Sequence, residues 1–267
     1  MSKVVLITGA SSGIGKSIAI FLTEKGYNVY GTSRNPKNIE SFPFKLIALD
    51  VLKVDTINDA VNFIIKQEGK LDILINNAGM GITGPIEDTP TDEMRAVFNT
   101  NLFGAIDVMK AVLPQMRQQK SGVIVNVTSI AGYMGLPFRG LYSATKGALE
   151  TITEATSMEV KPFGIKVVCV APGDFATNIA AGRYHTPVFE NSAYKENYQM
   201  NLDLMDAHVS EGMDPIEMAK AVHRIIETKN PKIHYKLGGF LEKFSIVLKR
   251  ILPDRVYEKM LMNHYKL

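Results

Sequence analysis

The sequence predicts an α/β fold, a doubly wound parallel sheet of about seven strands followed by a helical C-terminal extension. Three observations carry this expectation. Short apolar runs rich in β-branched residues alternate with longer amphipathic runs, the pattern of a parallel sheet covered by helices on both faces. The first such run leads directly into a glycine-rich turn and then a helix start. No linker, internal repeat or low-complexity stretch breaks the alternation, so residues 1–267 read as one domain, long enough for a well-buried core.

In chain order, KVVLIT at 3–8 is the first strand, and the amphipathic run KSIAIFLTEKG places a helix at 14–25 that ends at Gly26. Strands follow near 28–32, 45–49 and 71–75, with a helix near 54–67 before the last of them. A long helical run covers 91–118, with a break or bend near Gly104. Strand 122–128 precedes helix 142–160, and strand 165–171 comes next. Helix 214–228 and strand 232–236 complete the alternation. Residues 174–213 lack a clean period. They carry Phe175, Tyr184, His185, Phe189, Tyr194, Tyr198 and several methionines, suited to an apolar pocket or to the segment's own packing. From Phe240 to Leu252 apolar residues return at helical spacing, with Glu242, Lys243, Lys249 and Arg250 on the other side. Pro253 stops or kinks that helix, and a shorter one follows through Tyr257, Met260 and Leu261.

Chemistry enters with SIAGYMGLPFRGLYSATK, Ser129–Lys146. Tyr142 and Lys146 are one helical turn apart and share a face. An ammonium beside a phenol favours the phenolate, which makes a general acid/base usable near neutral pH. Ser129, at the end of the preceding strand, can close on the pair; Thr128 offers a second hydroxyl, but the thirteen-residue spacing to Tyr142 favours Ser129. Such a trio suits proton transfer at an alcohol or carbonyl oxygen while a hydride moves at the carbon. YxxxK alone is a common surface pair; the N-terminus supplies its context. In GASSGIG, Gly9, Gly13 and Gly15 let the backbone approach a pyrophosphate, and the helix start offers free N–H groups and a positive dipole end. The spacing is G-x-x-x-G-x-G rather than G-x-G-x-x-G.

TGASSGIG, NNAG (Asn76–Gly79), NLFG with Asn101, Ser129, YSATK and Pro172–Gly173 occur in this order, and over residues 3 to about 180 the chain resembles the short-chain dehydrogenase/reductase family. VYGTSR, GYMGLPF and the long C-terminal part resemble the branch of 17-beta-hydroxysteroid and retinol dehydrogenases. The resemblance implies a Rossmann-like sheet, Tyr142 as general acid/base and Lys146 holding the nicotinamide ribose. It implies Ser129 on the substrate oxygen, where it steadies developing charge. Asn101 would support a water-mediated proton relay through the lysine, or else make a local backbone contact. Gly9, Ser11, Ser12, Gly13, Ile14 and Gly15 would surround the phosphates, and Asp50–Val51 the adenine. Asn77 and Gly79 would line the cleft with backbone. Pro172, Gly173, Phe175 and Thr177 would stand with Tyr142 and Lys146 at the nicotinamide end. Phe175 departs from the small aliphatic residue common there, and its ring alters the pocket. Segment 174–213 becomes a substrate lid.

NAD sites usually place an acid about 20 residues past the glycines, to bond the ribose 2′-OH. Here VYGTSRNP offers Ser33, Arg34 and Asn35, and the first acid is Glu40. Arg34 suits a 2′-phosphate, which points to NADP(H), with Ser11 as an added contact; otherwise Arg34 is a solvated turn residue.

The lone cysteine, Cys169, excludes an internal disulfide and reads as core within IKVVCVAP. No signal-peptide pattern is visible, and no run approaches the ~18 apolar residues of a membrane span. The five histidines have no metal-ligand spacing, so no metal is expected. The net charge of +3 is uneven, because residues 229–267 hold nine Lys/Arg against three acids. No nucleic-acid motif accompanies that basic stretch. The expected protein is a cytoplasmic homodimer or homotetramer. It is expected to interconvert a ketone or aldehyde and its alcohol on an apolar steroid-, retinoid- or aliphatic-like substrate with NADP(H). Reduction of 3-oxoacyl carrier-protein thioesters is a second enzyme reading, against which the extension past residue 240 argues. A non-catalytic NADP-sensing regulator is a third, against which the intact Tyr142 and Lys146 argue. The extension 239–267 has three readings: packing on its own subunit, covering the cleft or a dimer interface, or peripheral contact with an anionic membrane.

Overall fold

The computed structural model describes residues 2–36, 41–176, 182–210 (backbone alone for 206–210) and 212–267. In chain order the elements are β1 (Val4–Ile7), α1 (Gly13–Glu24), β2 (Asn28–Ser33), β3 (Lys45–Ala48), α2 (Val54–Glu68), β4 (Ile73–Asn76), β5 (Ile82–Thr83), α3 (Thr91–Phe98) and α4 (Gly104–Gln119). There follow β6 (Gly122–Val127), α5 (Gly140–Val160), β7 (Ile165–Pro172), β8 (Tyr184–His185), α6 (Lys195–Ser210), α7 (Pro215–Glu227), β9 (His234–Leu237), α8 (Phe240–Ile251) and α9 (Asp254–Tyr265).

Seven strands form one parallel sheet in the order β3-β2-β1-β4-β6-β7-β9. The chain winds outward from β1 to β3, then returns to place β4 on the other side of β1. That reversal opens a crevice beyond the carboxyl ends of β1 and β4, where sheets of this kind bind ligands. β1 is buried on both faces, as a central parallel strand must be. Val5 and Ile7 pack with α1 and α7 on one side; Val4 and Leu6 pack with α2 and α4 on the other.

Two features refine this picture. The irregularity expected near Gly104 is a π turn between α3 and α4, Asn99–Phe103, with Asn101 inside it and Gly104 directly after it. Such turns re-aim side chains and often mark functional sites. A second, two-stranded ladder pairs β5 with β8, tying the loop after β4 to the segment after β7. Among the described residues one helical run, Thr91–Gln119, is long and apolar enough to cross a membrane by length and composition. Its apolar residues serve the core: Val108, Met109, Val112 and Met116 pack against the sheet.

Candidate functional site

The crevice begins at the turn between β1 and α1. Gly9 and Gly13 have φ of +67° and +54°, a left-handed conformation that side chains rarely adopt. A Cβ on Gly15 would collide with the Gly9 carbonyl and the Asn77 amide. Ser12 does not cap α1 with its side chain, which leaves first-turn N–H groups for an anionic ligand. The loop after β4 is fastened to this turn. Thr8 Oγ1 accepts from Asn77 N (2.9 Å) and Ala78 N (3.0 Å), and Asn77 Nδ2 donates to the carbonyls of Thr8 (3.0 Å) and Gly9 (3.1 Å). Asn77 therefore acts through its side chain as well as its backbone, and Thr8 is a site residue that sequence reasoning missed.

The resulting cleft has a volume of about 490 Å³. It is lined by Gly9, Ser11, Ser12, Gly13, Ile14, Arg34, Asp50, Val51, Asn77, Gly79, Tyr142, Lys146 and Pro172, all expected from sequence. Arg34 stands exposed at the end of β2 and makes no ion pair among the described residues. Asp50 is the one acid on the described walls, and its Oδ1 accepts from Leu52 N (3.0 Å). Gly15 lies beneath the turn, not on the wall. Thr177 lies outside the described residues.

At the other end, Ser129 caps a short 3-10 turn, Ile130–Tyr133. Its Oγ accepts from Ala131 N (3.2 Å) and donates to the Pro172 carbonyl (3.4 Å). Thr128 donates to Glu150 Oε1 (2.9 Å), so its proton is engaged away from a substrate oxygen. Tyr142 and Lys146 share the first turns of α5 as their spacing requires. Lys146 is buried; its Nζ donates to the Val127 carbonyl (2.9 Å) and lies 5.9 Å from the Tyr142 ring centre. A Cβ on Gly79 would stand 3.1 Å from Asn101 Oδ1, so this glycine lets the loop after β4 lie close against Asn101. Asn101 clamps the loop after β4: Oδ1 accepts from Met80 N (2.8 Å), while Nδ2 donates to Met80 O (2.9 Å) and Thr145 Oγ1 (3.2 Å). Thr145 Oγ1 in turn donates to the Tyr142 carbonyl (2.8 Å). Both amide hydrogens of Asn101 are used, so a relay water toward Lys146 would have to donate to one of its carbonyl oxygens.

The short chain dehydrogenase family matches residues 3–187. The chain belongs to that family. This short-chain dehydrogenase is 40% identical over 98% of its length to the 3-ketodihydrosphingosine reductase of Bacteroides thetaiotaomicron, covering 98% of that protein. It superposes with a TM-score of 0.83 on a short-chain dehydrogenase from Streptomyces avermitilis, 33% identical, over 100% of this chain and 96% of that one. ElxO with NADP bound gives a TM-score of 0.73 at 30% identity, over 90% and 99% of the two chains.

Beside Tyr142 and Ser129 the enzyme has a second, smaller cavity of about 60 Å³, lined also by Arg139, Gly173, Asp174, Phe175 and Arg183. This end is more polar than the sequence suggested. Arg139 stacks 5.5 Å from the Tyr142 ring centre. The Asp174 backbone N–H donates to Glu242 Oε1 (2.8 Å), but its half-buried carboxylate has no hydrogen bond or ion pair among the described residues. Glu242, placed by periodicity on a solvated helix face, is thus part of the pocket's frame.

Behind the site, buried amides brace it. Asn76 Nδ2 donates to Asn126 Oδ1 (3.0 Å) and Ala105 O (3.0 Å), and Asn126 Nδ2 donates to Thr153 Oγ1 (2.9 Å). Among the described residues the fold assembles one group of possible metal ligands around a histidine that spacing did not single out. Ligand atoms of Glu150, Cys169 and His234 lie within 4.8 Å of one another. Burial raises the Glu150 carboxyl and pushes the Cys169 thiol up to about 12. A protonated thiol facing His234 Nδ1 at 3.1 Å makes this a hydrogen-bonded network rather than a ready metal site.

Proposed function

We propose that this enzyme uses NADPH to reduce the ketone of a long-chain 2-amino-3-ketone, a 3-ketosphingoid base, to its alcohol. The observation that carries the substrate class is the half-buried Asp174, which makes no ion pair among the described residues and lines, with Arg139 and Arg183, the same small cavity as Ser129 and Tyr142. In such a substrate the ammonium sits on the carbon next to the carbonyl, so its partner must stand beside the proton donor. A steroid ketone or retinal brings no polar group there and would leave Asp174 and the two arginines facing apolar surface, which is costly. The likeness to the Bacteroides reductase over nearly the whole chain supports the same class.

The donor set suits NADP(H). Arg34 offers a planar fork for a 2′-phosphate, and the first turn of α1 offers N–H groups for the pyrophosphate. When bound, the cofactor supplies a hydride to the carbonyl carbon. Tyr142 gives its hydroxyl proton to the carbonyl oxygen, so C=O becomes CH–OH without stranded charge. Ser129 would hold that oxygen, and Lys146 would hold the ribose and restore the proton by way of a water at Asn101.

The test is NADPH oxidation with 3-ketodihydrosphingosine, the matched ketone lacking the amine, a 3-oxoacyl thioester, a steroid ketone and retinal. The amino ketone should give the highest kcat/KM. Asp174→Asn should raise its KM about ten-fold or more, as expected for a lost charged hydrogen bond, and leave the amine-free ketone nearly unchanged. A steroid ketone or retinal as the best substrate would overturn the assignment.

A further inference from the structure

Helix α8 faces the opposite way from an ordinary surface helix. Phe240 (75% exposed), Leu241 (77%), Phe244 (41%), Val247 (46%) and Ile251 (68%) point outward, while Ile246 (1%) faces the body. At about 100° per residue, Phe240, Phe244, Val247 and Ile251 fall within about 60° of one another, a single narrow stripe. Ile246 is held in a small cluster with Ile130, Met134, Ala171 and Tyr257, which fixes the helix orientation. Lys243 and Arg250 are exposed on the flank of the stripe and make no ion pair among the described residues. Nearby acids are already engaged: Glu242 holds the backbone of Asp174 and Gly239, and Asp254 pairs with Lys249 at 3.1 Å.

We propose that this outward face of α8 docks on an anionic lipid bilayer and sets the substrate pocket against it. The occupant follows from shape and charge. A 12-residue helix is about 18 Å long, too short to cross a bilayer but long enough to lie in its interface with the apolar stripe down. The free cations beside the stripe match anionic headgroups. Two copies meeting through this face would bring Lys243 and Arg250 together with no free acid on the stripe to answer them. The first turn of α8 also frames the pocket, since Glu242 holds the Asp174 backbone. A docked helix would therefore place the pocket beside the lipid phase that holds a long-chain substrate. The reason for docking rests on the long-chain reading above; the docking itself does not.

The experiment is co-sedimentation of the full chain with vesicles, without substrate or cofactor. Mixed phosphatidylglycerol and phosphatidylcholine vesicles at low salt should bind it. Pure phosphatidylcholine vesicles, or half-molar salt, should weaken binding about ten-fold or more, because screening removes the charge term. Phe240→Ser with Leu241→Ser and Phe244→Ser should abolish binding with an unchanged melting temperature. Lys243→Glu with Arg250→Glu should do the same while leaving the stripe intact. A wild-type chain that ignores the anionic vesicles at low salt overturns the proposal. So does a dimer, seen by sedimentation velocity, that the triple variant dissociates while vesicle binding is absent. A protein that binds vesicles but does not reduce 3-ketosphingoid bases keeps this inference and loses the substrate assignment.

Discussion

The strand β1 and the helix α8 both announce themselves by their apolar residues, yet the fold uses them in opposite ways. In β1 every apolar residue is buried, because layers of helices cover both faces of the sheet. In α8 the apolar stripe is turned outward and Ile246 alone is fully covered. Period shows which residues share a face. It does not show whether another layer exists to cover that face. β1 lies at the centre of the sheet; α8 follows the edge strand β9, beyond which no further strand pairs among the described residues.

The largest effect expected is at the over-determined end. Tyr142→Phe should lower kcat by ~10²–10⁴-fold while cofactor binding survives, since the ring stays and the proton donor goes. Measured turnover above about a tenth of wild type would contradict the assigned role. Next, Arg34→Asp should cut kcat/KM for NADPH by about 10–100-fold and narrow or invert the preference over NADH, through lost charged hydrogen bonds and added repulsion. Equal kcat/KM for the two cofactors in the wild type would remove the basis of this prediction.

The contrast within α8 is tested by stability. Ile246→Ala should cost about 2–4 kcal/mol, as buried large-to-small changes do. Phe240→Ser, on the outward face, should fall within about 0.5 kcal/mol of wild type. Urea titration of the two variants separates the faces; comparable losses would mean that the stripe is packed.

The smallest effect concerns Glu150, whose carboxyl is raised above its usual 4.5, chiefly by burial. A raised carboxyl means that folding favours the protonated form. Its contribution to stability is therefore full below the unfolded value and is lost as pH rises through the raised one. Glu150→Gln cannot ionise, yet it keeps an acceptor for Thr128. The melting temperature of this variant relative to wild type should rise as pH climbs from about 4 toward neutrality and beyond. A difference that stays flat with pH would show that folding does not raise the Glu150 carboxyl.

The seven strands of the main sheet were legible to within about two residues, because parallel strands buried on both faces read as continuous β-branched runs; KVVLIT and IKVVCVAP are examples. The glycine turn and the Tyr142–Lys146 pair were legible because local spacing alone sets their geometry. Thr8, Glu242 and the Asn76–Asn126–Thr153 ladder were not. Each works by contacts between residues far apart in sequence, such as Thr8 with Asn77 and Asp174 with Glu242. Asp174 itself stood in plain view after Pro172–Gly173, but nothing local says that it lines one cavity with Tyr142, Arg139 and Arg183.

The sequence by itself determined the alternation that makes a parallel sheet, the sharp turn that only glycines can take, and the placing of Tyr142 and Lys146 on one helix face. These depend on bond geometry and on neighbours within a few residues. Tertiary structure alone decided that Asn101 sits in a π turn clamped to Met80, that Asp174 closes the polar end of the pocket, and that the stripe on α8 faces outward. Those outcomes depend on which surfaces meet once the chain has folded, and a one-dimensional pattern holds no record of a distant partner or of its absence.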